Sequence, residues 1–225
     1  MKAVENFTRQ MNILDVEKHG NTPINIIGAG ATGSWICLGL AKMGFTNINI
    51  YDFDEVGEHN LPNQAFDIED IGVNKAMAIQ RNVMSATGNI IKAHNRKIEG
   101  GEMLSGVVFV LTDSMKSRKD IWMKSLKLNP AIQLVIETRM DLRIGRVYAI
   151  NPNDMTQIKK YEETLYDDTE AEVSACGVSQ TVLCTAMGIT SQAIWKLLNH
   201  INEVPNYQET MIEFENNYIL TQEWM

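Results

Sequence analysis

Gly28, Gly30 and Gly33 stand in G-x-G-x-x-G spacing, directly after the apolar run Ile24–Ile27 and ahead of a stretch with helical periodicity. That context gives each glycine a task. Gly28 permits a tight turn, Gly30 lets a phosphate approach the backbone, and Gly33 lets the helix pack close to the sheet. The helix start then offers unpaired N–H groups to an anion. Asp52 closes the next apolar run about 20 residues later, where a carboxylate accepts hydrogen bonds from ribose hydroxyls and favours NAD over NADP. Glycines alone are weak support, since tight strand–helix turns need them whatever they bind. Together with Asp52 they point to a nucleotide, and an ATP-using enzyme and a dehydrogenase are served equally well. Among the three cysteines, Cys176 precedes a long apolar helix, where a thiolate has a lowered pKa and is a competent nucleophile. A small side chain in a tight turn with Gly177 is the alternative. Cys37 and Cys184 fall on apolar helical faces and read as packing. His19, His59, His94 and His200 show no metal-ligand spacing.

The elements that must position these residues follow from β-branched runs bounded by turn residues and from apolar residues at helical spacing. Strands are predicted at 24–27, 48–51, 90–94, 107–111 and 134–137, with helices at 34–42, 73–85 and 117–126 between them. Such alternation predicts an α/β, Rossmann-like three-layer domain with a mostly parallel sheet and right-handed crossovers. After Glu137 the rhythm changes to a strand at 146–150, a short helix at 156–165, a long apolar helix at 178–201 and a C-terminal antiparallel hairpin through Met211 and Leu220. With no repeat and no linker, residues 1–225 read as one domain. It comprises an N-terminal arm at 1–22, a nucleotide-binding half at 23–140 and a sheet-completing, substrate-side half at 141–225.

The stretch from Tyr51 to Gln80 resembles the ThiF/MoeB family, the adenylating domain shared with ubiquitin-activating enzymes. Asp52-x-Asp54 matches its D-x-D, His59-Asn60-Leu61-Pro62-Asn63-Gln64 aligns with S-N-L-x-R-Q, and Gly72-x-x-Lys75 matches G-x-x-K at a helix start. Asp113 and Arg118 match D-N-x-x-x-R, Phe7-Thr8-Arg9-Gln10 matches the aromatic-N-R-Q element, and the segment from Met187 to Leu198 echoes the family's C-terminal helix. The resemblance covers residues 5–220. It implies ATP over the glycine loop beside Ala31, with Asp52 and Asp54 toward the ribose and Asn60, Asn63, Gln64 and Arg118 around the nucleotide. Lys75 would bring a point charge to the phosphates, and Asp113 would hold magnesium, a hard cation that prefers oxygen ligands. A substrate carboxylate, the C-terminal glycine of a ubiquitin-like or sulfur-carrier protein or a small acid, would be adenylated with release of pyrophosphate. Arg9 would reach a partner's site across a homodimer interface, and Cys176 would be the acyl acceptor that some members carry.

Two departures bear on this. Asn63 stands where the family has arginine, so a charge normally set against the β- and γ-phosphates is missing; Arg9 or another basic residue such as Arg139 compensates, or turnover is weak. His59 replaces the family serine. Three cysteines cannot supply the four thiolates of the zinc site found in many members. A binding module that has kept the fold but lost turnover therefore remains open. So does an NAD-dependent oxidoreductase, which leaves Asp54, Asn60, Lys75 and Asp113 unexplained.

Composition bounds the rest. At 225 residues and 44% hydrophobic content a full core is available. A net charge of −8 speaks against duplex nucleic acid as a ligand. No apolar run approaches the roughly 18 residues of a membrane span, the first ten residues lack an apolar signal segment, and the unpaired cysteine pattern fits a reducing, cytoplasmic compartment. The acids at 162, 163, 167, 168, 170 and 172, with no base between, read as a solvated face or a docking strip for a partner.

Overall fold

Ile24, Ile26, Ile27, Ile48 and Ile50 are almost wholly excluded from water, as strands covered on both faces must be. The computed structural model describes residues 6–166 and 181–224. Its strands are β1 (Ile24–Ile27), β2 (Ile48–Tyr51), β3 (Lys92–His94), β4 (Gly106–Val110), β5 (Ile132–Met140), β6 (Ile144–Ile150), β7 (Glu209–Glu213) and β8 (Tyr218–Gln222). They form one sheet in the order β3-β2-β1-β4-β5-β6-β7-β8. The ladders from β3 through β5 are parallel. Those from β5 to β8 are antiparallel. The sheet is therefore the α/β, Rossmann-like arrangement expected, with the C-terminal hairpin added at its edge.

Successive side chains on a strand point to opposite faces, which divides the core into two layers. On one side Ile24, Ile26, Ile48, Ile50 and Phe109 pack against α2 (Gly33–Lys42), α3 (Lys75–Thr87) and α6 (Leu183–Ile201). The helices meet the sheet through residues at helical spacing: Ile36 and Leu40 on α2, Ile79 and Val83 on α3, and Ala186, Ile189, Ala193 and Leu197 on α6. On the other side Ile27, Val108, Val110 and Val135 pack with Trp122 and with Ile158 and Tyr161 of α5 (Met155–Glu163). Asn74 caps α3 by accepting from the Met77 N–H, and Gly88, at φ 76°, ends it. A short helix, α1 (Val16–His19), precedes the sheet.

Several boundaries differ from expectation. The predicted helix at 117–126 is α4 (Met115–Ile121) running into a π-helical turn, Trp122–Leu126. The strand expected to end at Glu137 continues to Met140. Helix α6 starts at Leu183 after an extended Val182, while residues 178–180 of the predicted helix lie outside the described residues. No described helix is long and apolar enough to cross a membrane.

Lys196 on α6 is 5% exposed and donates to the Tyr207 carbonyl at 2.7 Å. Burial lowers its pKa to about 8, against about 10.4 in an unfolded chain. Between those values the unfolded state binds the extra proton, so stability rises with pH through that window. Lys196→Met is expected to raise Tm at pH 7 by about 3 °C, the shift of roughly 1 kcal/mol in a chain this size. The gain shrinks toward pH 10.5, which thermal melts at both pH values would check.

Candidate nucleotide-binding site

The sheet order reverses at β1, between β2 and β4, and crevices outside the carboxyl ends of strands at such a point are where open α/β sheets bind ligands. A cavity of about 580 Å³ lies there, within the usual range for a small-molecule site. The glycine loop forms its floor. Gly28 has φ 101°, and a Cβ on it would meet the Leu111 carbonyl oxygen at 2.7 Å. A Cβ on Gly33 would run into the Gly28 carbonyl, so this glycine lets α2 start tight under the loop. At Gly30 no heavy atom lies within 4 Å of where a Cβ would be, so the loop presents bare backbone to the cavity.

Asp52 directly follows β2 with its carboxylate tied to the loop: Oδ2 accepts from the Ala29 N–H at 2.6 Å and Oδ1 from the Asp54 N–H at 2.9 Å. Burial pushes its carboxyl pKa up, and these two N–H groups offset only part of that. Lys75, the first residue of α3, is paired with Asp54 at 3.1 Å. Asp113 is exposed on the cavity wall, past the end of β4, and Ser114 rather than Asp113 caps α4. Gly28, Gly30, Ala31, Asp52, Asp54, Gln64, Lys75, Asp113 and Arg118 all line this one cavity.

Other expected residues sit elsewhere. Asn60 is buried, and its Oδ1 accepts from the Gly57 N–H at 2.9 Å, a local turn contact away from the cavity lining. Asn63 does not line the cavity either; its amide donates to the Thr181 hydroxyl, and its carbonyl oxygen accepts from Trp35 Nε1 at 3.1 Å. Arg9 is exposed on an N-terminal arm that is fastened to the C-terminal end of α2, where Gln10 Nε2 donates to the Met43 carbonyl at 2.5 Å. The cavity is at the other end of that helix. Cys176 lies outside the described residues.

Behind the cavity a buried cluster joins Arg118 and Arg139, both singled out in the sequence, to Glu137 and Tyr161, which were not. The Glu137 carboxylate is 0% exposed and accepts from Arg118 Nη1 at 2.6 Å, from Arg139 Nε at 2.5 Å and from the Tyr161 hydroxyl. Burial would raise its carboxyl pKa, but the two guanidiniums outweigh that and hold it below the usual carboxylate range. Arg118 also donates to the carbonyls of Thr112 and Thr138, which locks the ends of β4 and β5 together. The one signal was a Glu and an Arg two residues apart on a mostly apolar strand, a spacing that puts both on the same face. Arg96 and Lys97, also on the wall, carry no sequence motif; Arg96 lies over the Tyr51 ring at 5.3 Å.

The residues present fit a nucleotide with magnesium. Thr112 Oγ1 and Gln64 Oε1, both on cavity-lining residues, are buried without a hydrogen-bond partner among the described residues. Bare loop backbone and a helix N-terminus suit phosphate oxygens. No three His, Cys, Asp or Glu side chains gather as a metal site among the described residues. Asp113 alone still suits magnesium, which takes one or two carboxylates and fills its shell with phosphate oxygens and water.

Topology and glycine loop together define a Rossmann-like α/β protein with its crevice at the switch point. Residues 7–224 match the ThiF family, and the chain belongs to that family. It is 34% identical over 104 residues to the NEDD8-activating enzyme E1 catalytic subunit of Arabidopsis thaliana, an overlap of 44% of this chain and 23% of that one. It is also 32% identical over 69 residues to tRNA threonylcarbamoyladenosine dehydratase 2 of Saccharomyces cerevisiae, covering 30% of this chain and 15% of the other. These matches therefore span a quarter or less of either relative. Among solved structures, E. coli MccB with ATP superposes with a TM-score of 0.69 at 15% identity, covering 93% of this chain and 65% of that one. PaaA gives a TM-score of 0.67 at 17% identity, covering 93% and 75%. At such identities these two likenesses establish the fold.

Proposed function

We propose that this chain uses ATP and magnesium to adenylate a carboxylate, and the observation that carries the reading is the convergence of Gly30, Asp52, Lys75 and Asp113 on one cavity. The carboxylate oxygen attacks the α-phosphorus, a C–O–P bond forms, the bond to the bridging oxygen of the β-phosphate breaks, and pyrophosphate leaves. Asp52 orients the ribose, the loop N–H groups and Lys75 hold the phosphates, and Asp113 holds magnesium, which when bound neutralises charge on the leaving group. Positioning and charge neutralisation do most of the work in such a transfer. Lys75 must exchange Asp54 for phosphate, an exchange made cheap because Asp54 is half exposed.

The class of acyl substrate is the C-terminal glycine of a ubiquitin-like or sulfur-carrier protein, or a small acid. The NEDD8-activating relative favours a protein carrier. Arg9, at the far end of α2 from its own cavity, acts on a second copy in a homodimer. The Cys176 thiolate attacks the acyl carbon of the adenylate, forming a thioester as the C–O bond to the phosphate breaks and AMP leaves. The acidic balance leaves nucleic acid out of this scheme, and no step in it calls for a membrane.

ATP–pyrophosphate exchange, measured with a carrier protein ending in glycine, tests the reading. Exchange is expected in wild type and should fall about a hundredfold in Lys75→Ala, the size of losing one charge-stabilising group. Tight ATP binding without exchange, whichever carboxylate is offered, would favour the second reading, a nucleotide-binding scaffold. The observation behind that reading is Asn63, an uncharged residue tethered to Thr181.

A further inference from the structure

Two guanidiniums share one carboxylate behind the cavity. Glu137 has no exposure, while Arg118 and Arg139 keep 8% and 13% of their side chains accessible, and both line the cavity. Glu137 stays ionised because its neighbours depress its pKa, and Arg139 is held protonated because the Glu137 charge outweighs the cost of its burial. Tyr161, which donates to the same carboxylate, stays neutral because burial raises its pKa well above the ordinary value. The cluster therefore carries one positive charge in excess, beside the cavity that both arginines line. Thr138, between Glu137 and Arg139, has its hydroxyl 3.3 Å from that of Thr32, which immediately precedes α2. The excess charge thus adjoins the glycine loop and the helix start, where phosphate groups would rest. Of the other cations on the wall, Lys75 pairs with Asp54 at 3.1 Å and Arg96 with Glu102 at 3.5 Å, while Lys97 lies over the Phe53 ring at 5.7 Å.

From this arrangement we infer that the Arg118–Glu137–Arg139 triad is an anion-binding wall for the β- and γ-phosphates of ATP, acting through its surplus charge. It supplies what Asn63, uncharged and bonded to Thr181, cannot. The inference rests on the nucleotide site proposed above. A charge so placed is weakly screened by salt, because its surroundings are mostly protein. Arg139 is already engaged by Glu137 and by the Thr164 carbonyl at 2.7 Å, so the effect is one of net charge more than of a free donor.

Charge-balance variants test this directly. Arg139→Gln makes the cluster neutral, Glu137→Gln makes it doubly positive, and Glu137→Gln with Arg139→Gln restores a single positive charge on Arg118. The readout is the ratio of AMP to ATP dissociation constants from calorimetry, on samples whose circular dichroism and melts show a folded protein. The ratio is expected to fall about tenfold in Arg139→Gln, to return to the wild-type value in the double variant and to rise in Glu137→Gln. Arg139→Lys keeps the charge but loses the fork to Thr164, so it should retain the ratio even as Tm drops. A ratio unchanged across the set, or a double variant as weak as Arg139→Gln, would overturn the triad's role while leaving the nucleotide site standing. Wild type that binds neither ATP nor AMP would overturn both.

Discussion

ATP with magnesium, at one hundred times its dissociation constant, is expected to stabilise the protein by about 2.7 kcal/mol. At roughly 2–4 °C per kcal/mol for a chain of this length, Tm rises by about 5–10 °C. Replacing magnesium with EDTA should remove much of that shift, and Asp113→Ala should remove the same part with the ion present. The variant isolates ligand binding from folding because Asp113 is exposed, does not cap α4 and is free of the buried triad. Its apo Tm should match wild type within about 1 °C, since surface substitutions away from special features stay within about 0.5 kcal/mol. NAD should give no comparable shift. A larger shift with NAD than with ATP would overturn the adenylating reading and return attention to oxidoreductase chemistry, for which Asp52 and the loop suffice but Lys75 and Asp113 have no use.

Local physics explains which parts of this site were readable in the chain. Gly28 and Gly33 act through backbone geometry just after a strand end, and Asp52 stands directly after the next strand, so their spacing alone announces them. The strand at 134–140 shows the opposite case. Glu137 reads as a strand end, because a carboxylate is expensive to bury. The strand continues past it only because Arg118, from a helix 19 residues earlier, and Tyr161, from a helix further on, converge on that carboxylate. Such compensation is tertiary and leaves no periodic trace. Asn60 and Asn63 illustrate a second limit. The motif leads one to expect them near the nucleotide, but Asn60 Oδ1 accepts from the Gly57 N–H, and Asn63 gives its amide N–H to Thr181 while its Oδ1 is left without a partner among the described residues, arrangements that side-chain type does not reveal. Helix α6 was placed in sequence by its apolar period, which continues smoothly through Val182, yet Val182 is extended and the helix starts without a side-chain cap. The period marks the buried face, and the turn geometry decides the start.

Arg118→Ala is expected to cost about 3–5 kcal/mol, the usual penalty for removing one partner of a buried ion pair. Three acceptors lose a donor at once: Glu137 Oε1, which keeps Arg139 Nε, and the carbonyls of Thr112 and Thr138. For a chain this long that is a fall in Tm of about 10 °C or more, with β4 and β5 loosening at the end that carries the cavity. Arg118→Ala combined with Glu137→Gln should recover part of the loss, because the carboxylate no longer needs a counter-charge while Arg139 and Tyr161 can still hydrogen-bond the amide. Lys75→Ala is the contrasting case. Its partner Asp54 is half exposed, so Tm should move by less than about 1 °C, while ATP affinity falls. Melting temperature and ATP affinity, measured side by side, therefore separate two residues that a motif places together. On the proposed reading Lys75 serves the ligand, and Arg118 first holds the frame of the cavity. An Arg118→Ala protein that melted like wild type would show that water reaches Glu137, and the charge argument for the triad would fall with it.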